Sequence, residues 1–392
     1  MREANLKTTP RVGGGGAGLK PLPMFRPEPD DAPCCGAKPG PPASPDERPG
    51  YELCAFVERF IETPQGPVPQ ITTRLGRRDW LGACRARLGI RRDGYRIAPG
   101  LYALGAAGPD SPVLVTANYK LSFDALRREL AAVHAWILVL DTRGVNVWCA
   151  AGKKTFSSEE LIRQVGRVRL HEVVRHRQVI VPQLGAPGVA AQRVRQGCGF
   201  TVCWGPIRAR DLKAFLAAGG QATPAMRQLS FTLVERLLLI PVEISLLVTP
   251  SLWLVPLFFV LAALSPHPSL SLIWQRGGDL SLAFGSGVVS GAVLVPIGLP
   301  WLPWRSFYLK GLLVGLLGGL ALVAGRGVVG WDALAMVLLS MAVSSYAAMN
   351  FTGATPYASP SGVEKEMRLG IPAQMLALLG AALLWVGGQF WW

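Results

Sequence analysis

The stretch VLVTANYKLSFDALRRELAAVHAWILVL, residues 113–140, decides the fold. Val113-Leu114-Val115-Thr116 is a short β-branched run entered through Ser111-Pro112, as a buried strand following a turn would be. From Ser122 to Val133 the apolar residues recur at helical spacing, and Ser122 is placed to cap that helix. Trp136-Ile-Leu-Val-Leu140 is a second buried-type strand. Strand, helix and strand in close succession argue for a mostly parallel sheet covered by helices.

The same alternation continues downstream. Ser157-x-x-Glu160 is a capping-box pattern ahead of Leu161, Ile162 and Val165. Gln178-Val-Ile-Val181 and Phe200-Thr-Val-Cys-Trp204 are further strands, each followed by a Gly/Pro turn and then by helical stretches over 189–194 and 209–216. Residues 51–220 are therefore expected to form a Rossmann-like α/β domain. Ligands of such open sheets collect at the carboxyl ends of the strands. The loops to inspect are Asn118-Tyr119-Lys120, 142–154, 182–188 and Gly205-Pro206.

The rest of the chain divides sharply in composition. Of 40 basic and 25 acidic residues, 33 and 19 precede Leu229, so that the head carries +14 of the total charge of +15. Residues 1–50 read as a disordered Gly/Pro-rich tail without the apolar core of a secretory signal. Beyond the head, a hydrocarbon layer about 30 Å thick asks for roughly 20 mostly apolar residues per helix. Five segments meet that requirement, at about 244–264, 280–300, 307–325, 333–351 and 369–388, giving an all-α transmembrane domain over 244–392. Residues 221–243 read as a juxtamembrane linker and interfacial helix, interrupted by Glu235, Arg236, Pro241 and Glu243. Arg227, Arg236, Arg305, Lys310, Lys365 and Arg368 fall on the head's side and Arg276 and Arg326 on the other, so the head is expected to be cytoplasmic and the C-terminus to lie across an inner membrane. Gly311, Gly315 and Gly319, like Gly287 and Gly291, recur every fourth residue, which suits close helix packing.

The longest exit loop carries unusual chemistry: Asn146-Val147-Trp148-Cys149-Ala150-Ala151-Gly152-Lys153 sets a cysteine among small residues beside an aromatic one. Near Lys153 and Lys154 its thiolate would be favoured and could serve as a soft metal ligand, although a lone cysteine is more often packing. The string NVWCAAGK resembles the cap-helix signature of the mercury-methylating corrinoid proteins (the HgcA family), within the wider corrinoid iron-sulfur protein-like superfamily. The runs 115–123, 181–189 and Gly205-Pro-Ile-Arg208 also stand where that family has closely similar strings. Lys153-Lys154 and Val202-Cys203-Trp204 depart from the family's usual Lys-Gly and Val-Val-Tyr.

The resemblance implies a corrinoid (cobalamin) cofactor whose cobalt takes Cys149 as its lower axial ligand, with Cys149 catalytic. It implies that Asn146, Val147, Trp148, Ala150, Ala151, Gly152 and Lys153 shape the cap. The cradle for the macrocycle would come from Asn118, Tyr119 and Lys120 and from Gln183, Leu184, Gly185, Ala186, Pro187 and Gly188. Sulfur donation opposite a cobalt-bound methyl group would favour transfer to a soft electrophile, so the implied activity is a methyltransferase forming methylmercury from Hg(II). Alternatives are a corrinoid methyl carrier of one-carbon and acetyl-CoA metabolism, or a non-enzymatic membrane receptor or scaffold. The seven cysteines lack an iron-sulfur spacing, so reducing equivalents would come from a ferredoxin-like partner with two 4Fe-4S clusters (HgcB-like), and methyl groups from a methyl-donating methyltransferase. Membrane lipid is a further partner of the basic head. No nucleic-acid module is present, and the arginines at 163, 167, 169, 175 and 177 read as a solvated face. Cys34-Cys35 read as idle tail thiols or a soft Hg(II) trap. Cys198 and Cys203 read as packing.

Overall fold

The computed structural model describes residues 39–44, 47, 49, 55–355 and 360–390, so Cys34 and Cys35 lie outside the described residues. The head is built on a seven-stranded mixed sheet of order β1-β2-β3-β5-β4-β6-β7. Its strands are β1 (Val57–Thr63), β2 (Gly66–Ile71), β3 (Gly100–Leu104), β4 (Val113–Ala117), β5 (Ala135–Leu140), β6 (Gln178–Pro182) and β7 (Thr201–Gly205). The expected strands are all present, and β5, β4, β6 and β7 run parallel. The other three depart from the parallel plan: β3 pairs antiparallel with β5, β2 lies parallel to β3, and β1 closes the edge as a hairpin with β2. Strand β1 is largely exposed and carries Glu58, Arg59 and Glu62, and β2 carries Pro67 and Pro69, so the hairpin lacks the buried apolar run of β4 and β5.

Two apolar layers cover the sheet. One packs α4 (Ser158–Arg167), α5 (Leu170–Val173) and α6 (Ala191–Cys198) through Leu161, Val165, Leu170 and Val194 onto Val115, Leu138 and Val181. The other packs α2 (Lys120–Glu129) and α7 (Leu212–Ala217) through Phe123, Leu126, Leu212 and Phe215 onto Leu114, Ile137 and Ile180. Alternate strand residues thus point to opposite layers, as the pleat requires. The helix α2 begins at Lys120, ahead of the expected cap at Ser122. The earlier start follows from Tyr119, held extended by a bridge to Arg96, and from Lys120, buried between Asp79 and Asp124.

That lysine belongs to a buried ionic cluster that fastens α1 (Arg77–Arg87) to α2. Arg127, fully buried, bonds Asp79 Oδ2 at 2.8 Å and Asp124 Oδ1 at 2.7 Å and donates to the carbonyls of Thr72 and Arg74. Lys120 Nζ lies 2.7 Å from Asp79 Oδ1 and 2.6 Å from Asp124 Oδ2. Burial works against the Asp79 charge, but hydrogen bonds from Lys120, the Gly76 amide and Arg127 outweigh it and hold the carboxyl below its ordinary range.

After α8 (Leu233–Leu237), capped reciprocally by Thr232 and Glu235, the chain enters the apolar bundle. Four helical segments are long and apolar enough to cross a membrane: Leu270–Gly298, Phe307–Arg326, Gly330–Thr352 and Gly362–Gly387. They correspond to α11 (Leu270–Val289), continued through a π turn at Ser290–Leu294 into α12 (Val295–Gly298), then α13 (Phe307–Arg326), α14 (Gly330–Thr352) and α15 (Pro360–Gly387). The first expected span is instead two shorter helices, α9 (Ile240–Ser251) and α10 (Leu254–Ala263). Pro256 lacks an amide and its ring crowds the carbonyl four residues back, which interrupts the helix at Leu252-Trp253.

The glycine rows serve close packing against α14. A Cβ on Gly311 would stand 2.6 Å from Ser344 O, and one on Gly287 2.8 Å from Ser340 O. Ser344 Oγ donates to Gly311 O at 2.7 Å and Ser340 Oγ to Gly315 O at 3.0 Å. Three cations of the bundle are partnered: Arg276 meets Asp332 at 3.1 Å, Arg326 meets Asp279 at 2.9 Å, and Lys310 donates to Leu299 O. Arg236 of α8 donates to Pro296 O and Ile297 O at 2.8 and 2.9 Å, closing the carbonyl end of α12.

Asp79→Asn tests the ionic cluster. Leaving Lys120 and Arg127 short of a counter-charge should destabilise the head by on the order of 3 kcal/mol at neutral pH. Because folding depresses the Asp79 pKa, its contribution is present above its ordinary value of 3.8 and is lost as pH falls through the lower folded value. Thermal melts should therefore find the variant's deficit at pH 7 shrinking in acid below about pH 4.

Candidate functional site

The four parallel strands give the site its place. Strand β4 leads through α2 to β5 on one side, whereas the chain returns after β5 to β6 on the other, so the strand order reverses between β4 and β6. At such a reversal the loops leaving neighbouring strands diverge and open a crevice. The loop leaving β4 begins with Asn118, and the one leaving β6 with Gln183.

Asn118 is completely buried and faces sideways, into the loop that leaves β5. Its amide nitrogen donates to Asp141 Oδ1 at 3.0 Å. Its oxygen accepts from the Thr142 hydroxyl at 2.9 Å and from the backbone N–H groups of Thr142 and Gly144 at 3.2 and 3.0 Å. The Thr142 hydroxyl also lies 2.6 Å from Val145 O, so its single proton is shared between two acceptors. Gly144 has φ +78°, and a Cβ there would lie 2.9 Å from Asp93 O, so the turn requires glycine. Asp141 N–H is taken by Glu160 Oε1 at 2.8 Å. The expected reciprocal capping box at Ser157 is therefore half formed: Ser157 Oγ accepts from Glu160 N–H, while the Glu160 side chain reaches back to the loop.

This fixed turn delivers α3 (Val147–Gly152). Asn146 is its N-cap, accepting from Cys149 N–H at 2.8 Å. Cys149 stands on the first turn, half-buried, while Ala150 and Ala151 are packed into the core of the head. Ala150 and Ala151 are thus small because protein surrounds them. A Cβ on exposed Gly152 would meet nothing within 4 Å. The 183–188 loop lies beneath this helix: a Cβ on Gly188 would run into Phe156 O and stand 3.1 Å from Ala151 Cα, and one on Gly185 would stand 2.5 Å from the Phe156 ring.

Alongside α3 is a cavity of about 360 Å³ lined by Asn146, Val147, Trp148 and Leu184 together with Thr116, Ser122, Pro182, Gly205, Pro206 and Ile207. Of the expected cradle, the structure gathers Asn146, Val147, Trp148 and Leu184 at this cavity. Gln183 is engaged by Arg227 at 2.5 Å, and Lys120 by the two aspartates. Gly185, Ala186, Pro187 and Gly188 form the loop that supports α3, Asn118 holds the α3 turn, and Lys153 ends the helix as its C-cap.

Tyr119 is the odd member. Its side chain is 95% enclosed, its ring carries the Arg92 guanidinium at 5.7 Å, and its hydroxyl has no hydrogen-bond partner among the described residues. Burial pushes the phenol above its ordinary pKa, with Arg92 and Arg87 opposing and the nearby Cys149 adding to the rise. A protonated, unsatisfied donor is therefore held within electrostatic range of the cysteine.

The lock residues Asp141, Thr142 and Glu160 and the cavity wall at Thr116 and Ile207 escape a reading of the sequence. Only the Gly144 turn after a buried strand signals that the loop is fixed. Cys198 and Cys203 are partly buried thiols whose pKa values are raised by burial, as packing cysteines would be. Among the described residues no group of three or more His, Cys, Asp or Glu is arranged to hold a metal ion, which leaves the Cys149 sulfur to be considered as a single donor.

Comparison with known proteins falls on this part of the chain. Residues 91–216 match the family described as CO dehydrogenase/acetyl-CoA synthase delta subunit. The acetyl-CoA decarbonylase/synthase complex subunit gamma of Archaeoglobus fulgidus is 28% identical over 127 residues, 32% of this chain and 27% of that protein. The corrinoid/iron-sulfur protein large subunit of Moorella thermoacetica is 29% identical over 125 residues, 31% of this chain and 28% of that protein. A gamma subunit from Methanothermobacter thermautotrophicus is 34% identical over 125 residues, 31% of this chain and 26% of that protein. The chain thus spans little more than a quarter of the length of these relatives. From Arg91 to Leu216 the head is similar to the family described as CO dehydrogenase/acetyl-CoA synthase delta subunit, and β3 to β7, Tyr119 and Cys149 all lie inside that match.

Proposed function

We propose that the head binds a corrinoid, whose cobalt the Cys149 sulfur would hold, and that the chain transfers a methyl group to Hg(II). The observation that carries this reading is a half-buried thiol on a locked turn beside the strand-reversal crevice, in a segment related to a protein named for its corrinoid. A corrinoid, when bound, supplies a cobalt centre that accepts, carries and releases a methyl group. The residues fit such a group in two respects: a soft sulfur donor stands half-buried on α3 against the core of the head, one residue from Trp148 in the cavity wall, and the buried Tyr119 hydroxyl lacks a hydrogen-bond partner among the described residues. At about 360 Å³ the cavity sits at the small end of ligand pockets, so it would take one limb of a macrocycle and leave most of it on the open face of α3.

Each residue then has a definite task. Asn118, Thr142 and Gly144 hold the turn so that Cys149 does not swing away from the metal. Cys149 must ligate as a thiolate, and electron donation by sulfur suits delivery of methyl to a soft cation. Trp148 and Leu184 keep water from one side of the site. Ferredoxin-like and methyl-donating partners would regenerate the methylated state, and the basic residues at the membrane ends favour a cytoplasmic head. A second reading, a methyl carrier of one-carbon metabolism, is favoured by the likeness to subunits of acetyl-CoA decarbonylase/synthase complexes and to a corrinoid/iron-sulfur protein. An assay with Hg(II) as acceptor separates the two.

Purified full-length protein should show a corrinoid visible spectrum. Cys149→Ala should change that spectrum and lower methylmercury formation at least about 100-fold. Retention of full methylmercury formation by the variant would sink the mechanism. An unchanged spectrum would sink the ligand. Tyr119→Phe should leave the protein without cofactor as stable or about 1 kcal/mol more stable, since a buried unsatisfied donor is removed, while corrinoid retention falls several-fold in equilibrium dialysis. Gly188→Ala, which forces backbone apart beneath α3, should cost about 1–3 kcal/mol in chemical denaturation and also weaken retention.

A further inference from the structure

Helix α1 is built inside out. Ala83 and Ala86 are buried, and Asp79 points inward to Lys120 and Arg127. Trp80 and Leu81, by contrast, are 53% and 60% exposed, and Leu88 and Ile90 about half exposed. At 100° per residue, Trp80, Cys84, Leu88 and Leu81 fall within one narrow outward arc. Arg77 is exposed within that arc, Arg78 and Arg85 are exposed beside it, and Arg91 follows it. A helix on a soluble surface shows the opposite arrangement, with its large apolar residues toward the core. Clustered outward apolar side chains flanked by arginines have the chemistry of a helix lying in the headgroup zone of a bilayer.

The surroundings of α1 select the occupant. Its end adjoins the anchor: a Cβ on Gly89 would stand 2.5 Å from Ser245 Oγ of α9. Leu246, the next residue of α9, is 60% exposed, and Leu233, Val234, Leu237 and Leu238 around α8 are exposed as well. The apolar surface of α1 is therefore continuous with that of the helices leading into the bundle. The arginines add positive charge where anionic headgroups would meet it.

We propose that α1 and the turn after it dock on the bilayer that holds the anchor, with Trp80, Leu81 and Leu88 at acyl-chain depth and Arg77, Arg78 and Arg85 on anionic phospholipid headgroups. The inference rests on the reading of α11 to α15 as membrane-spanning and is independent of the corrinoid. Its consequence is that the head sits on the membrane surface in one orientation.

Hydrogen exchange of the full chain in lipid nanodiscs tests this. In discs containing phosphatidylglycerol, amides of residues 77–92 should exchange about fivefold or more slowly than in discs of phosphatidylcholine alone. Added salt should erase the difference. The α2 amides, which are remote from lipid, provide the internal control. Arg77→Glu/Arg78→Glu/Arg85→Glu and, separately, Trp80→Ser/Leu81→Ser should each lose the slowing while α2 exchange is unchanged. Equal exchange in both discs, or slowing that survives charge reversal, would overturn the proposal. Slowing that appears only when a soluble acidic protein is added would assign the surface to such a protein and overturn it equally. A chain that fails to enter discs would instead remove the spanning reading, and with it this one.

Discussion

The buried amide of Asn118 is the constraint on which the site depends. It sits where β4 ends, yet its hydrogen bonds are spent on the loop leaving β5, so two neighbouring strands are joined at their carboxyl ends through one side chain. An amide offers a donor and an acceptor at fixed separation, and here Asp141 takes the first while Thr142 and Gly144 share the second. In a dry environment each of these groups would be costly to leave unpaired, so the turn has little freedom to rearrange. Cys149 follows within the same segment and inherits that fixed position.

The same pairing of buried polar groups recurs in the apolar bundle. Serine hydroxyls on α14 close onto carbonyls of α13 at points where glycine brings the backbones together. Arg276 illustrates how charge is accommodated there: one guanidinium lies 4.3 Å from the centre of the Trp385 ring, donates to Trp385 O and pairs with Asp332. Carbonyl, ring and carboxylate together replace part of what bulk solvent would give this cation, leaving Nε without a hydrogen-bond partner among the described residues.

Strands β4 to β7 and the long apolar helices were legible because each carries a largely apolar run between turn residues. The hairpin and α1 were not, since a charged edge strand, a neighbour with two prolines and a helix with its apolar face outward break the periodicities on which such reading relies, and β3 is a run of only five residues bounded by glycines. The broken first span is a related case: hydropathy averages over Pro256, whereas the backbone cannot. Cys149 stood out from its neighbours in the sequence. The environment that makes it interesting did not, because Asp141, Glu160 and the Tyr119 hydroxyl acquire their meaning only through contacts between distant segments. Lys120 shows the converse error, a polar residue in an exit loop whose charge is consumed by an internal cluster.

Glu235 and Arg236, adjacent in α8, pull in different directions. Glu235 pairs with Arg208 at 2.7 Å, next to the Gly205–Ile207 wall of the cavity, while Arg236 holds the end of α12. The connection between head and bundle is therefore a bolted joint and not a tether. Were the α11–α12 rod to cross a bilayer, a change in its tilt would be felt at the rim of the crevice through this joint.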